Sequence, residues 1–128
     1  MRVKLLMMLA MLASLAACSP GPEDTAMLWV QNLYHYNPAI MKYVCENDSK
    51  DTAKQMEMGQ FINTQSGVKA FSTKDVTVQL LDKADNTARV RVAGTIYRIF
   101  KDGERKGKDV DLTVKLVKED GKWKVCSK

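Results

Sequence analysis

The hydrophobic pattern of this chain changes period once, near Ser66 and Gly67, and that change decides which class of fold is open to it. Before it, apolar residues recur every three or four positions. Ala26, Trp29, Val30, Leu33 and Tyr34 form one stretch, Ile40, Met41, Val44 and Cys45 a second, and Ala53, Met56, Phe61 and Ile62 a third. Such spacing lays an apolar stripe along a helix. After it the period is two. Val76, Val78 and Leu80 alternate with Thr77 and Gln79, and Val90 and Val92 with Arg89 and Arg91. Val110, Leu112, Val114 and Leu116 continue the pattern, and Trp123 and Val125 end it. Alternation of this kind marks strands with one buried face. Helices first and strands afterwards predict an α+β fold, with N-terminal helices packed on a four-stranded antiparallel sheet.

Turn chemistry places the boundaries. Pro22 followed by Glu23 and Asp24 suits the first turn of a helix, where proline's fixed φ fits and acids face the positive end of the dipole. Asn37 and Pro38 end that helix and open the next, with Asn as cap and Pro at the first position. Ala84 to Thr87 turns the chain between the first two strands. Gly94 interrupts the second strand where apolar groups begin to appear on both faces, which predicts a bulge or bend. Lys101, Asp102 and Gly103 open a charged loop expected to close near Gly107. Glu119, Asp120 and Gly121 signal a tight hairpin.

The first residues read as an export signal. Arg2 and Lys4 precede a short apolar run over residues 5–15, and Leu15-Ala16-Ala17 leads into Cys18. The run is too short for a transmembrane helix, which takes about 20 apolar residues. A cysteine directly after small residues resembles the lipobox of bacterial lipoproteins. The resemblance implies cleavage before Cys18, acylation of Cys18, and membrane lipid as its partner; a secreted chain cut without lipid is the rival reading. Ser19, rather than Asp, at the next position implies the outer membrane, facing the periplasm, if the source is Gram-negative. The expected organisation is a leader over 1–17, a lipidated cysteine and spacer over 18–22, and one domain over 23–128.

Without the leader, 18 basic residues remain against 15 acidic ones. That is an ordinary surface rather than a nucleic-acid footprint, and export removes nucleic acid as a partner. With Cys18 assigned to lipid, Cys45 and Cys126 are an even pair in an oxidising compartment and read as one disulfide, with two free buried thiols as the alternative. Strict alternation sets Cys126 on the face of Lys122 and Lys124, so a bond to a helical Cys45 requires the strand to twist or to end at Val125. One histidine and two distant cysteines make no metal set, and no cofactor is expected.

Helices followed by long antiparallel strands, a turn through Ala84-Asp85-Asn86-Thr87 and the ending Asp120-Gly121-Lys122-Trp123-Lys124-Val125 resemble the nuclear-transport-factor-2-like, or cystatin-like, superfamily. The likeness is greatest to its small bacterial lipoproteins without an assigned function. The resemblance implies a curled sheet and helices forming a cone with a central cavity, in a superfamily that includes enzymes, ligand binders and dimers. Isomerase-like members need a carboxylate base and an oxyanion donor, and dehydratase-like members a His–Asp pair. Here His35 is the single histidine, the acids cluster at turns, and the inner strand positions carry none. The expectation is therefore a chain that is not an enzyme, with no catalytic residue, acting by binding.

Ile96, Tyr97, Ile99 and Phe100 are the expected contact patch for a second copy or an envelope protein. Trp29, Tyr34 and Tyr97 are candidate walls of a cone cavity for a small apolar ligand, although aromatics at helical spacing are more often core. Lys115, Lys118, Lys122, Lys124 and Lys128 form a one-sided basic run suited to anionic headgroups or to guarding a sheet edge against aggregation.

Overall fold

The computed structural model describes residues 19–127. The expected leader over 1–17, the lipidation candidate Cys18, and Lys128 lie outside the described residues.

Helix α1 (Pro22–Tyr34) begins as the turn chemistry predicts. Pro22 takes the first turn with Glu23 and Asp24, and Thr25 N donates to Gly21 O at 2.9 Å. Its buried face is Pro22, Thr25, Ala26 and Val30. The expected second helix is absent. Asn37 does cap, its side chain accepting from Ala39 N at 3.0 Å, but only a 3-10 turn follows, Pro38–Lys42. Residues 43–45 then pass beside the last strand, with Val44 bridged to Val125. Val125 N donates to Tyr43 O at 2.7 Å, and Cys45 N donates to Val125 O at 2.9 Å. A backbone recruited to this parallel bridge cannot also close helical hydrogen bonds. A second 3-10 turn, Glu46–Asp48, leads into α2 (Ser49–Ser66), which Gly67 ends at φ 76, the left-handed conformation that glycine takes without strain.

The sheet is a meander in the order β1-β2-β3-β4, antiparallel throughout: β1 (Val68–Lys83), β2 (Thr87–Phe100), β3 (Arg105–Glu119) and β4 (Lys122–Cys126). Two strands exceed their expected length. β1 starts eight residues before Val76, and β3 starts at Arg105, so the charged loop shrinks to a turn held by Gly103 N donating to Phe100 O at 2.9 Å. The added residues of β3, 105–109, are all exposed, so nothing forces alternation there, whereas the added part of β1 is half-buried with Phe71 against the core.

Gly94 lies opposite both Val76 and Val110 with φ 138, and the register of β1 against β2 slips between Ser72 and Asp75. A Cβ at Gly94 would collide with the Asp75 backbone oxygen. This is the bulge the sequence predicts, with the extra residue on the partner strand. The turn into β4 has positive φ at both central residues, Asp120 (53°) and Gly121 (75°), which suits the right-handed twist of a two-residue hairpin.

The core fills the space between α1 and the sheet: Ala26, Val30, Val90, Val92, Ile96, Leu116, Trp123 and Val125 are all buried within it. A smaller cluster, Ile40, Val44 and Met56, sits under α2 with Trp29, Leu33, Tyr36 and Met41 against it. The expected apolar face of α2 is mostly outside. Met56 is buried, whereas Ala53 is exposed and Phe61 and Ile62 are 67% and 57% exposed.

Candidate functional site

Where α1, the last strand and the 43–45 segment each start, three pieces of chain enclose a cleft of about 430 Å³. Ser19, Pro20 and Thr25 form one side, Lys42 and Tyr43 another, and Lys122, Trp123 and Lys124 the third. Trp123, 7% exposed, packs in the main core, and the Lys118 ammonium stands 5.1 Å from its ring centroid. Lys124 Nζ donates to Lys42 O at 2.6 Å, which fixes one ammonium at the cleft, and Lys42 and Lys122 also line it. Among the described residues that line it there is no carboxylate. Acids lie close by: Glu46, Glu119 and Asp120 line an adjoining depression together with Lys122 and Lys124, and Glu23 and Asp24 flank Thr25 in the first turn of α1. Glu119 is turned away, its carboxylate accepting from Glu46 N at 3.2 Å. The cleft therefore combines an apolar floor with a cationic rim.

The disulfide joins Cys45 to Cys126, with Cα atoms 5.2 Å apart, and it resolves the conflict between strand alternation and bonding. Alternation holds: Trp123 and Val125 face the core, and Cys126 takes the face of Lys122 and Lys124. It is Cys45 that differs from expectation, since it lies on the extended segment rather than on a helix. With Val44 bridged to Val125, the next residue on each chain faces the same way. Asp48 adds a second clasp. It is 7% exposed, not a solvated turn acid, and its carboxylate accepts from Ser127 N at 2.7 Å and Ser127 Oγ at 2.9 Å.

The candidate cavity walls do not converge. Trp29 borders a shallow depression of about 150 Å³ with Leu33, Val44 and Asp48. Tyr34 packs on Phe71, with ring centroids 6.4 Å apart. Burial, and secondarily the phenol of Tyr36, raises the Tyr34 phenol above its ordinary value. Tyr97 lies on the opposite side of the sheet, beside Gly107 and 4.9 Å from the Arg105 guanidinium.

Nor do Ile96, Tyr97, Ile99 and Phe100 form one surface. Ile96 is in the core at 2% exposure, Tyr97 and Ile99 alternate to the other face, and Phe100 lies under the cations of Arg98 (5.7 Å) and Lys106 (5.4 Å). On that outer face Arg91 makes a two-pronged bond to Asp111, at 2.9 and 2.7 Å, and Arg89 pairs with Asp82. The Arg91 hydrogen bonds hold the Asp111 carboxyl below the usual carboxylate range. His35 meets the edge of Phe71 at 6.0 Å. Among the described residues no cluster of histidine, cysteine and acid is placed to hold a metal.

Two helices on a curled four-stranded antiparallel sheet define an NTF2-like α+β domain. No family model matches the chain, and no curated protein matches it. Twenty chains of solved structures do. One is the crystal structure of a "Putative NTF2-like transpeptidase" from Campylobacter jejuni, with TM-score 0.51 and 21% identity, covering 85% of this chain and 100% of that one. The likeness establishes the fold. It also corrects the expectation that this chain is not an enzyme. That expectation rested on the absence of isomerase-like and dehydratase-like acid–base sets, and a protein of the same fold is named for a different chemistry, transpeptidation.

The cleft was legible only in part. The lysines and Trp123 stand out in the sequence, but Lys42 and Tyr43 do not. The signal that places them is the cysteine pair, because a bond between Cys45 and Cys126 draws residues 42–44 alongside the last strand.

Proposed function

We propose that this chain is an exported protein, tethered to a membrane through acylated Cys18, whose NTF2-like domain binds a ligand in the cleft beside the tether. One observation carries the reading: the cleft is lined by Ser19 and Pro20, the two residues that follow Cys18. Export and acylation are supported by the basic, apolar and small-residue order of the leader, and the outer membrane by Ser19. No helix among the described residues is long and apolar enough to cross a membrane, so the domain itself supplies no helical span. Its cleft has the size and character of a small-ligand site, an apolar body with a few placed polar groups.

The test is expression of the whole chain in cells fed an alkyne-bearing fatty acid. Label on the wild-type protein, lost in Cys18→Ala together with membrane retention, is the expected result. An unlabelled wild-type chain in the soluble fraction overturns the tether.

A further inference from the structure

We propose that the cleft is a docking site for the phosphate headgroup of an anionic phospholipid in the membrane that holds the tether. The inference rests on the reading above and names its ligand. Three lysines line the cleft, Lys42, Lys122 and Lys124, and among the described residues the lining holds no carboxylate to neutralise them. Lys124 is held in place through Lys42 O, which uses one of its three donors and leaves two for a ligand. Below the rim lie Trp123, Tyr43 and Pro20, an apolar floor suited to the glycerol and first methylenes behind a phosphate. Lysines beside an indole ring are a combination found at the boundary between headgroups and hydrocarbon, where an apolar ring and a charged tip are both satisfied.

Position favours a lipid over a diffusing anion. Ser19 is one residue from the tether, so its backbone lies within about 4 Å of the acylated residue's Cα. A cleft lined by Ser19 is held at the membrane surface, where headgroups are far more concentrated than any soluble phosphate. The acids Glu46, Glu119 and Asp120 line the adjoining depression, and Glu23 and Asp24 stand in the first turn of α1, but none of the five is among the residues that line the cleft.

The experiment uses residues 18–128 with Cys18→Ser, which has neither leader nor acyl group, and sedimentation with vesicles. Phosphatidylcholine alone is compared with phosphatidylcholine containing one-third phosphatidylglycerol. Binding to the anionic vesicles only is expected, with about a fivefold loss for each of Lys42→Gln, Lys122→Gln and Lys124→Gln. A control triple, Lys50→Gln, Lys54→Gln and Lys74→Gln, removes the same charge elsewhere and should bind as before. The arginine triple at the three rim positions should bind too, and it answers any loss of fold in the glutamine set. In a Trp29→Phe background, brominated phosphatidylglycerol should quench Trp123.

Equal binding to neutral vesicles, equal weakening by the control triple, or full displacement by millimolar inorganic phosphate overturns the inference. The two readings fail separately. An acylated chain without headgroup preference sinks only the docking site, and headgroup binding by a chain that is never acylated in cells sinks only the tether.

Discussion

The two helices of this domain are held in opposite ways. α1, with 13 residues, buries Pro22, Thr25, Ala26 and Val30 and touches every strand of the sheet. α2, with 18 residues, buries only Met56 and Gly59 and meets the sheet chiefly at β1. What holds α2 is local. Gly59 sits against the Tyr36 ring, Gln60 Nε2 donates to Tyr36 O at 2.7 Å, and the disulfide and Asp48 clasp lie just before its first turn. Met58, Phe61 and Ile62 share its outer side, 57–67% exposed. Helix length therefore says little about structural weight here; a short helix with a continuous stripe organises the core, and a longer one is fastened at a few points.

The largest break in that comparison should come from matched substitutions. Val30→Asp puts a charge on the fully buried side of α1 and should cost more than about 4 kcal/mol, leaving no cooperative unfolding transition in urea. Ile62→Asp on α2 should change the midpoint by less than about 0.5 kcal/mol equivalent. Similar costs at the two sites would mean that α2 is packed against something in solution.

Replacing both Cys45 and Cys126 by serine opens a loop spanning 81 residues and should lower stability by about 4 kcal/mol, read as a lower denaturation midpoint than the oxidised wild type. If α2 depends on that clasp, its amides should exchange with solvent faster in the variant than those of α1.

Gly59→Ala should cost about 1–3 kcal/mol, although alanine is the better helix former, because its Cβ would enter the Tyr36 ring. In a Tyr36→Ala background the same change should be neutral or stabilising. A cost that persists there would place the constraint elsewhere.

The smallest effect is a pH dependence. An unfolded tyrosine ionises near about 10, and Tyr34 is raised above that in the fold. The native state keeps this proton longer than the unfolded one, so its contribution is complete below about 10 and is lost as pH rises through the folded value. Ultraviolet titration should show a tyrosine phase above the ordinary value, and Tyr34→Phe should remove it.

The sheet was readable because its strands alternate wherever they cover the core, as at Val90, Val92, Val114 and Leu116. Reading failed where strands outrun the core. Lys106, Gly107 and Lys108 resemble a loop yet pair with Arg98, Tyr97 and Ile96. The cap at Asn37 and Pro38 was correct, but the helix it announced lost to a tertiary contact between Val44 and Val125, which no local signal carries. The apolar spacing over residues 96–100 could not say which face each side chain would take, because Gly94 allows a bulge there. Lys122, Lys124 and Trp123 were visible as residues but not as one site, since the wall opposite them comes from Lys42 and Tyr43, about 80 positions earlier.

The bond between Cys45 and Cys126 also sets an order of events for a newly made chain. All four strands follow Cys45, and its partner is the last residue of the last strand. Emerging from its N-terminal end, the chain presents Cys45 as a lone thiol until the whole sheet has been delivered. The Tyr43–Cys45 segment has no strand to lie against until then, and the cleft has no third wall. Closure of the molecule is thus a final step, and any agent that captures thiols early would meet Cys45 before its proper partner exists.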